Sequence, residues 1–542
     1  MKKKICIITG GLLNVHESSA WNAIRKQISQ LSQGNHRWLE LKIKLLSAEP
    51  ILLSRMTKKS EKVKEYFLSS GNENLPELTE VVLADELSKL NVPFEILTYD
   101  DLFSHTKKAD FILSSCDVVF ASSTLLHDLS EAMPLLTRIK KHNVKIVLGG
   151  ALTGSLYKCW PGDPMVDILA IGYGEFLVPH LVDWMYNGYE QLTSPPQGKL
   201  LKNDHTIFLF SGSPLDRNLD NLPTPDWRVA EKYHNKSFTE IYYESVRGCP
   251  YRCSFCNYPY LFDDNKFRVK SAEKMADDWQ YYSDHGVKSI ICLDSLFTMP
   301  KKRLIKFCEL LIEKNINIKW ACYARADDLL EDDVVALMKK AGVNHLQIGL
   351  ESGNQELLDA MNKQCTVDKN LIAIQMCRKH NITSLVSLIV GFPGETAETI
   401  RETYEFMKKA KPDFHFLATF SVRVEDVPVL NVENRQKFGL HTMKNPFTFA
   451  PYWKHNTMSC SEVGGHVRYL NEQLCNEKIS LDGSVFYTNI SHYVPSYRED
   501  LLEFQFRAMN EHKMFRPLFD LAHHFIDKKL KKDVMNWEKD LN

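Results

Sequence analysis

The order of hydrophobic and polar positions divides the chain into two successive series of short apolar runs separated by amphipathic stretches. From residue 4 to about residue 184, apolar runs such as KICIITG, DVVFASS and KIVLGG alternate with stretches of helical period. Continuous apolar strands that alternate with amphipathic helices are typical of a parallel sheet covered on both faces. The pattern therefore predicts an α/β, doubly wound, Rossmann-like domain over residues 1–190.

A second α/β series begins near residue 239, after a segment rich in proline, glycine and asparagine that predicts a linker over residues 191–238. Six apolar runs then alternate strictly with helical stretches: EIYYESV, KSIICLD, IKWACYA, HLQIGL, TSLVSLIVGF and DFHFLAT. Because six strands cannot close an eight-stranded barrel, we expect a partial (β/α)6 barrel over residues 239–426, with its site at the carboxyl ends of the strands. Residues 427–542 predict a mostly helical C-terminal cap. An insertion at residues 29–74 has no assigned place in this pattern.

The composition of the chain bears on whether it binds nucleic acid or a membrane. The chain has 542 residues, more than one hydrophobic core supports, and 67 basic against 68 acidic residues, so it lacks the positive field that nucleic-acid binding needs. The longest apolar runs, such as 385–392, are shorter than the roughly 20 residues of a membrane helix. We therefore expect neither nucleic acid nor a membrane as partner.

The first residues and the cysteines bear on the compartment. MKKKICIITGG begins like a secretory signal, but Gly10 and Gly11 interrupt its apolar stretch, which favours a buried first strand that ends in a glycine turn. Thirteen cysteines, mostly isolated in apolar segments, indicate reduced thiols and a cytoplasmic location.

Three cysteines are not isolated. Cys249, Cys253 and Cys256 stand at the spacing C-x3-C-x2-C directly after the first predicted barrel strand, in VRGCPYRCSFCNYPY. A zinc ion would need a fourth ligand, and the next histidine, His285, lies beyond a whole predicted helix. Three soft thiolates in a short loop favour a [4Fe–4S] cluster with three protein ligands and one open iron.

With Phe255 directly before the third cysteine, this loop resembles that of the radical S-adenosylmethionine (SAM) enzymes. The resemblance implies that SAM binds the open iron through its amino and carboxylate groups. It also implies that an electron, supplied by a donor such as flavodoxin or ferredoxin, cleaves SAM to methionine and a 5′-deoxyadenosyl radical.

Further matches follow on later strand ends. GLESG, VGFPGET and CYARAD supply residues for which the resemblance implies contacts to SAM: Glu351, Gly391, Pro393 and Arg325. Each has an alternative, since Glu351 could cap a helix, Pro393 could shape a plain turn and Arg325 could be a surface cation. One stretch departs from the family pattern, because CLDSLFT places Asp294 and Ser295 where many members carry glycines.

The predicted N-terminal domain has glycine turns at its strand ends, in ASSTL, LGGALTG and IGYGE, and no G-x-G-x-x-G after the first strand. It resembles the cobalamin-binding domains that precede some radical SAM barrels. That resemblance implies that cobalamin lies near the turns, at Ser122, Ser123, Gly149, Gly150, Gly172 and Glu175. The family motif for a cobalt ligand, D-x-H-x-x-G, survives only as NVHESS around His16, so we expect cobalt without a histidine ligand.

Together these resemblances imply cobalamin-dependent radical methylation of an unactivated carbon or phosphorus in a small-molecule or peptide natural-product substrate. The cap would shape the substrate pocket with Asp426, Trp453 and His455 and with neighbouring Arg423, although a Trp-x-His pair is often local packing. A non-methylating rearrangement or cyclisation, and a cobalamin-binding sensor or scaffold with an inactive barrel, remain alternatives. Methylthiolation of tRNA is disfavoured because Cys6, Cys116 and Cys159 are too scattered to form a second cluster.

Overall fold

The structure is a computed structural model. It describes residues 3–10, 37–68, 75–126, 129–214, 218–260, 266–422, 424–443, 451–512 and 514–540. Two seven-stranded sheets dominate these residues, accompanied by one two-stranded and one three-stranded sheet. None of the described helices combines the length and the hydropathy that a membrane crossing needs.

The strands, numbered in chain order, are β1 Ile5–Thr9, β2 Phe94–Thr98, β3 Val118–Ser122, β4 Lys145–Gly149, β5 Ile168–Ile171, β6 Lys199–Asn203, β7 Thr206–Phe210, β8 Glu240–Tyr243, β9 Val246–Arg247, β10 Arg268–Val269, β11 Ser289–Cys292, β12 Lys319–Ala324, β13 Val343–Glu351, β14 Thr383–Val390, β15 Phe414–Thr419, β16 His441–Thr442, β17 Trp453–His455, β18 Met458–Ser459 and β19 Leu481–Asp482.

The α-helices are Arg37–Met56, Glu61–Leu68, Leu78–Lys89, Asp101–Ser104, Thr106–Ser114, Leu129–Lys140, Thr153–Leu156, Gly174–Tyr186, Trp227–His234, Ala272–Asp284, Lys301–Glu313, Asp332–Lys340, Gln355–Ala360, Val367–Lys379, Ala397–Ala410, Val432–Phe438, Cys460–Asn476, Gly483–Phe486, Arg498–Asn510 and Arg516–Lys539.

The first sheet has the order β2-β1-β3-β4-β5-β7-β6, parallel except for the antiparallel β6–β7 hairpin. Alternate residues of β1 enter different hydrophobic cores: Ile5 and Ile7 on one face, Cys6 and Ile8 on the other. Both faces are therefore buried, as a doubly wound sheet requires. The α/β class predicted from the sequence is confirmed.

The second sheet has the order β19-β15-β14-β13-β12-β11-β8, with every neighbouring pair parallel. Six of its strands are the six apolar runs of the second series, so the predicted open barrel is confirmed. The two-residue strand β19 adds a seventh position, because Leu481 pairs with Phe414 at the start of β15. The carboxyl ends of these strands lie at one end of the barrel, and we call that end the mouth.

The segment predicted as a linker is folded in the structure. Its hairpin β6–β7 extends the first sheet, with β7 parallel to β5, and Trp227 at the start of the following helix is buried in the core of the barrel domain. Strand β7 coincides with the apolar run TIFLFSG, whereas β6 is mostly exposed and its mostly polar sequence, KLLKN, gives no strand signal among the surrounding prolines and glycines.

The unplaced insertion belongs with the C-terminal region. Lys42, on the helix Arg37–Met56, forms an ion pair of 2.8 Å with Asp527, and Glu49 forms another of 2.8 Å with Arg468. The Tyr66 hydroxyl, on the next helix, donates to a carbonyl of the cap at 2.7 Å. The predicted helical cap therefore includes two helices from near the start of the chain, a pairing that no local sequence pattern reveals.

Candidate functional site

The three cysteines of the motif lie on a loop between β9 and β10, which pair antiparallel. Gly248 begins the loop at φ +79°, and a Cβ atom there would lie 2.1 Å from the Lys266 carbonyl oxygen, so the turn requires glycine. The loop is also fixed at Ser254, whose amide donates to the Met361 carbonyl at 2.8 Å and whose carbonyl accepts from the Val429 amide at 2.9 Å. Barrel and cap thus hold the loop at the mouth.

The thiols of Cys249, Cys253 and Cys256 are free and half-buried. Burial raises the pKa of Cys253 and raises the pKa of Cys256 to about 12, so both are neutral thiols at pH 7 unless a cation binds them. No three His, Cys, Asp or Glu side chains of the described residues are arranged to hold a single metal ion. Three thiols on one short loop can serve as the protein ligands of a [4Fe–4S] cluster, in which each thiolate binds a different iron.

Asp294 and Ser295, the two residues that depart from the family pattern, bind the backbone segment that leads into the cysteine loop. The buried carboxylate of Asp294 accepts from the Ser245 amide and hydroxyl, each at 2.6 Å, and from the Val246 amide at 2.8 Å. The hydroxyl of Ser295 donates to the Gly248 carbonyl at 2.6 Å. Burial raises the pKa of Asp294 to about 6. Both side chains thus have structural partners beside the cysteine loop.

Glu351 ends β13 in a left-handed backbone conformation, φ +65°, which is costly for a residue with a side chain. Its carboxylate accepts from the Lys363 ammonium at 2.7 Å, and both side chains are less than a tenth exposed. A Cβ atom at Gly349 would lie 2.5 Å from this carboxylate, so the glycine leaves room for the pair. The next helix is capped by Asn354, whose side chain accepts from the Leu357 amide, so helix capping does not explain Glu351.

Lys363 is a site residue that the sequence analysis missed, because a single lysine twelve residues after a motif has no distinctive pattern. Burial alone would lower its pKa, but the neighbouring Glu351 and Cys253 raise it. The lysine is therefore a buried cation at the cysteine loop.

Arg325 follows the end of β12 and is 5% exposed, so it is not a surface cation. Its guanidinium lies 3.8 Å from the ring centre of Tyr251 in the cysteine loop, pairs with Asp327 at 2.9 Å and donates to the Lys363 carbonyl at 2.5 Å. These partners connect the third barrel strand to the loop. A contact between Arg325 and SAM stays a prediction.

The turn after β14 carries the remaining predicted barrel residues. Gly391 has φ +92°, its amide donates to the buried Glu395, and Pro393 is buried beside it. A Cβ atom at Gly391 would lie 2.9 Å from the Trp453 ring, so the cap packs directly on this turn. Burial raises the pKa of Glu395 to about 8.

Trp453 and His455 stack with parallel rings, 5.4 Å between centres. Nε2 of His455 lies 3.3 Å from the Gly391 carbonyl and Nδ1 lies 3.0 Å from the Thr457 hydroxyl, while burial lowers its pKa to about 4. Both ring nitrogens thus have protein partners, the arrangement that the packing alternative describes. A substrate contact of either residue stays a prediction.

The N-terminal turns lie side by side at the carboxyl edge of the first sheet. Ser123 donates to the Gly149 carbonyl through its amide at 2.7 Å and its hydroxyl at 2.6 Å. A Cβ atom at Gly150 would lie 2.7 Å from the Thr124 amide, so the two turns touch. Ser122 and Ser123 are buried, whereas Gly150 is exposed at this edge.

The turn after β5 reaches the barrel. At Gly172, φ is +105° and a Cβ atom would lie 2.2 Å from the Ser211 hydroxyl. Glu175, in the first turn of the helix Gly174–Tyr186, pairs at 2.6 Å with Arg247, two residues before Cys249. Burial alone would raise the pKa of Glu175, but the Arg247 guanidinium holds it below its ordinary value. A partly buried ion pair therefore joins the predicted cobalamin edge to the cysteine loop.

Of the predicted cap residues, Asp426 forms an ion pair of 2.5 Å with Lys158, which follows β4 in the first sheet's domain. It therefore contributes a second bridge between the two domains, at a half-exposed position. His16 and Arg423 lie outside the described residues.

Comparison with known proteins agrees with this geometry. Residues 243–407 match the model of the Radical SAM superfamily, so this part of the chain is a radical SAM domain. The anaerobic magnesium-protoporphyrin IX monomethyl ester cyclase of Rubrivivax gelatinosus is 30% identical over 292 residues, 50% of each chain. The chain spans about half the length of this cyclase and of a second curated cyclase that it matches, from Cereibacter sphaeroides.

Two solved structures share the overall fold. The radical SAM methyltransferase TsrM of Kitasatospora setae, with cobalamin and a [4Fe–4S] cluster bound, aligns at a TM-score of 0.62 over 82% of this chain and 98% of that chain, with 14% identity. OxsB, a cobalamin-dependent SAM radical enzyme with aqua-cobalamin and SAM bound, aligns at 0.58 over 88% and 79%, with 16% identity. The order of an α/β domain, a radical SAM barrel and a cap is thus a known architecture.

Proposed function

We propose that this protein is a cobalamin-dependent radical SAM enzyme that methylates an unactivated carbon, or phosphorus, of a small-molecule or peptide natural-product substrate. The observation that carries the proposal is the Glu175–Arg247 ion pair, which is 2.6 Å long and partly buried, with side chains 9% and 20% exposed. It holds the carboxyl edge of the first sheet against the cysteine loop, so that ligands at the two places would face each other.

The cysteine loop and the carboxyl edge of the first sheet would each hold one cofactor. Cys249, Cys253 and Cys256 would hold the cluster, and the exposed edge at Gly150 would admit the flat corrin ring of cobalamin. When bound, the cluster supplies the electron that cleaves SAM, and cobalamin supplies a transferable methyl group. Lys363 and Glu351 place a compensated pair of charges beside the loop, a fixed environment for the polar end of SAM.

Exclusion of other hydrogen donors is a further requirement, because a primary alkyl radical takes hydrogen from nearby C–H and S–H bonds. The cap supplies apolar cover at the mouth, where Trp453 packs on Gly391 and its indole donates to the Phe420 carbonyl at 3.0 Å. The cap thus covers one side of the barrel mouth, where the substrate would bind.

A second candidate is a cyclisation without methyl transfer, which the 30% identity to a cyclase over 292 residues favours. The two reactions differ in their products. Methylation consumes a second SAM and yields S-adenosylhomocysteine, whereas cyclisation yields 5′-deoxyadenosine without it.

The test is anaerobic reconstitution of the full chain with iron, sulfide and hydroxocobalamin, followed by addition of SAM and dithionite. Mass spectrometry should find 5′-deoxyadenosine and S-adenosylhomocysteine, and Cys253→Ala should abolish the first product. Cys308→Ala is the matched control, since Cys308 is buried on a helix outside the loop.

Three outcomes would contradict the proposal. Persistent SAM cleavage in Cys253→Ala would remove the cluster assignment. Cleavage without S-adenosylhomocysteine in the presence of substrate candidates would favour cyclisation, and bound cobalamin with no cleavage at all would favour a sensor or scaffold.

A further inference from the structure

The helix Arg516–Lys539 carries an outer face that the proposed function does not use. Leu518, Leu521 and Phe525 are spaced by three and four residues, so they share one side of the helix, and they are 60%, 65% and 49% exposed. The same spacing continues to Lys528 and Lys532, both exposed. We call these five residues the outer face: it is apolar in its first half and cationic in its second.

The opposite side of this helix is buried, so its rotation is fixed. Ile526, Leu530, Val534 and Trp537 lie in the interior. His523 is buried as well: its Nδ1 accepts from the Lys42 ammonium at 2.9 Å and its Nε2 donates to the Glu49 carboxylate at 2.9 Å, both on the helix Arg37–Met56. The outer face therefore cannot turn inward without breaking these contacts.

The charges of the helix are sorted between the two sides. Three of its four acidic residues are turned to other elements in ion pairs: Asp520 with Arg468 at 2.7 Å, Asp527 with Lys42 at 2.8 Å, and Glu538 with Lys454 at 3.2 Å.

The lysines are not neutralised in this way. Lys528, Lys529, Lys531 and Lys532 are exposed, and none forms an ion pair with any other described residue. Lys529 instead lies 5.5 Å from the ring centre of Phe525, at the junction of the apolar and cationic halves. Although the chain as a whole has a net charge of −1, this surface is positive.

We infer that the outer face docks on an anionic lipid bilayer, with the helix lying parallel to the membrane plane. Apolar side chains on one side of a helix enter the boundary of the acyl chains, and lysines beside them stay with anionic headgroups. The helix has 24 residues and is about 36 Å long, so both halves can touch the surface at once.

A second copy of the chain fits this face less well. The exposed apolar side chains on and directly before this helix, Met514, Phe515, Leu518, Leu521, Phe525 and Met535, are few beside the roughly 20–30 residues a side of a stable interface. The four lysines among them would repel their counterparts in a second copy. The inference goes beyond the proposed function and does not depend on it. It also modifies the expectation of no membrane partner, which rested on the absence of spanning segments.

The test is cosedimentation of the full chain with vesicles of phosphatidylcholine alone and of phosphatidylcholine with an equal part of phosphatidylglycerol. We expect binding to the anionic vesicles, and at least tenfold weaker binding to the neutral ones or in 0.5 M NaCl. Leu518→Ser/Leu521→Ser and Lys528→Gln/Lys532→Gln should each weaken binding about tenfold or more.

The matched control is Lys107→Gln/Phe111→Ser, which removes an exposed lysine and an exposed apolar side chain from a helix of the first domain. It should bind as the unaltered protein does. Equal binding to both vesicle types, no binding, or equal losses in the control would overturn the inference. So would a dimer in light scattering that Leu518→Ser/Leu521→Ser separates while vesicle binding is unchanged.

Discussion

Lys363→Met should destabilise the barrel far more than removal of a lysine from the surface. Lys363 and Glu351 lie 2.7 Å apart, with side chains 8% and 9% exposed. At an effective dielectric constant of about 20, two unit charges at this distance attract by roughly 6 kcal/mol before desolvation is subtracted. Removing the cation leaves a buried carboxylate without its partner, which costs about 3–5 kcal/mol in comparable buried pairs.

The assay is anaerobic thermal unfolding, followed by circular dichroism and by intrinsic fluorescence. For a domain of this size each kcal/mol shifts Tm by about 2–4 °C, so Lys363→Met should lower the barrel transition by roughly 6 to 20 °C. Lys301→Met is the control, because Lys301 pairs with Glu331 at an exposed position, where ion pairs contribute about 0–1 kcal/mol.

A double-mutant cycle tests the reasoning most directly. Glu351→Gln together with Lys363→Met should cost about 2 kcal/mol less than the sum of the single changes, because the second substitution removes the charge that the first left unpaired. Equal Tm values for Lys363→Met and Lys301→Met, or additive single changes, would refute the argument.

Three further predictions concern packing and charge elsewhere. Burial lowers the pKa of His345 to about 4, below its ordinary value of about 6.5. The free energy of unfolding should therefore fall by up to about 3 kcal/mol as pH falls from 6.5 to 4, because the unfolded chain takes up the proton more readily. In melting curves, His345→Leu should lose less stability over this pH range than the unaltered protein. Gly172→Ala should lower the free energy of unfolding by at least about 1–2 kcal/mol, because Gly172 has a positive φ that a residue with a side chain adopts at a cost. At Gly174 an added Cβ atom would meet open space, so Gly174→Ala should leave the stability nearly unchanged. Arg247→Met should lower the free energy of unfolding by about 3–5 kcal/mol and speed hydrogen exchange in residues 246–256. Arg228→Met, which removes an exposed ion pair, should do neither. Unchanged exchange in Arg247→Met would contradict the bridge between the domains.

Much of the fold could be predicted because strand and helix patterns are local. The six barrel strands and the buried first sheet appear as apolar runs of the right length, and the C-x3-C-x2-C spacing places three thiols on one loop without knowledge of any long-range contact. In the segment predicted as a linker, the apolar run TIFLFSG indicates strand β7, but the mostly polar strand β6 and its pairing with β7 have no distinct apolar signal.

Site residues that depend on partners far along the chain could not be predicted in the same way. Lys363 matters because the backbone brings it to Glu351, and Arg247 matters because a turn 72 residues earlier supplies Glu175. Asp294 was recognised only as a departure from a pattern, and its three hydrogen bonds to Ser245 and Val246 explain what it does.

The sequence by itself determined the two α/β series, the order of the domains and the cysteine motif, since these depend on periodicity and on spacing within short segments. The tertiary structure alone decided which charges are buried together, that residues 37–68 belong to the cap, and that the helix Arg516–Lys539 turns three of its four acidic residues to other elements and four lysines outward. The physical reason is that burial and ion pairing depend on distances in space, and residues that lie hundreds of positions apart meet only when the chain has folded.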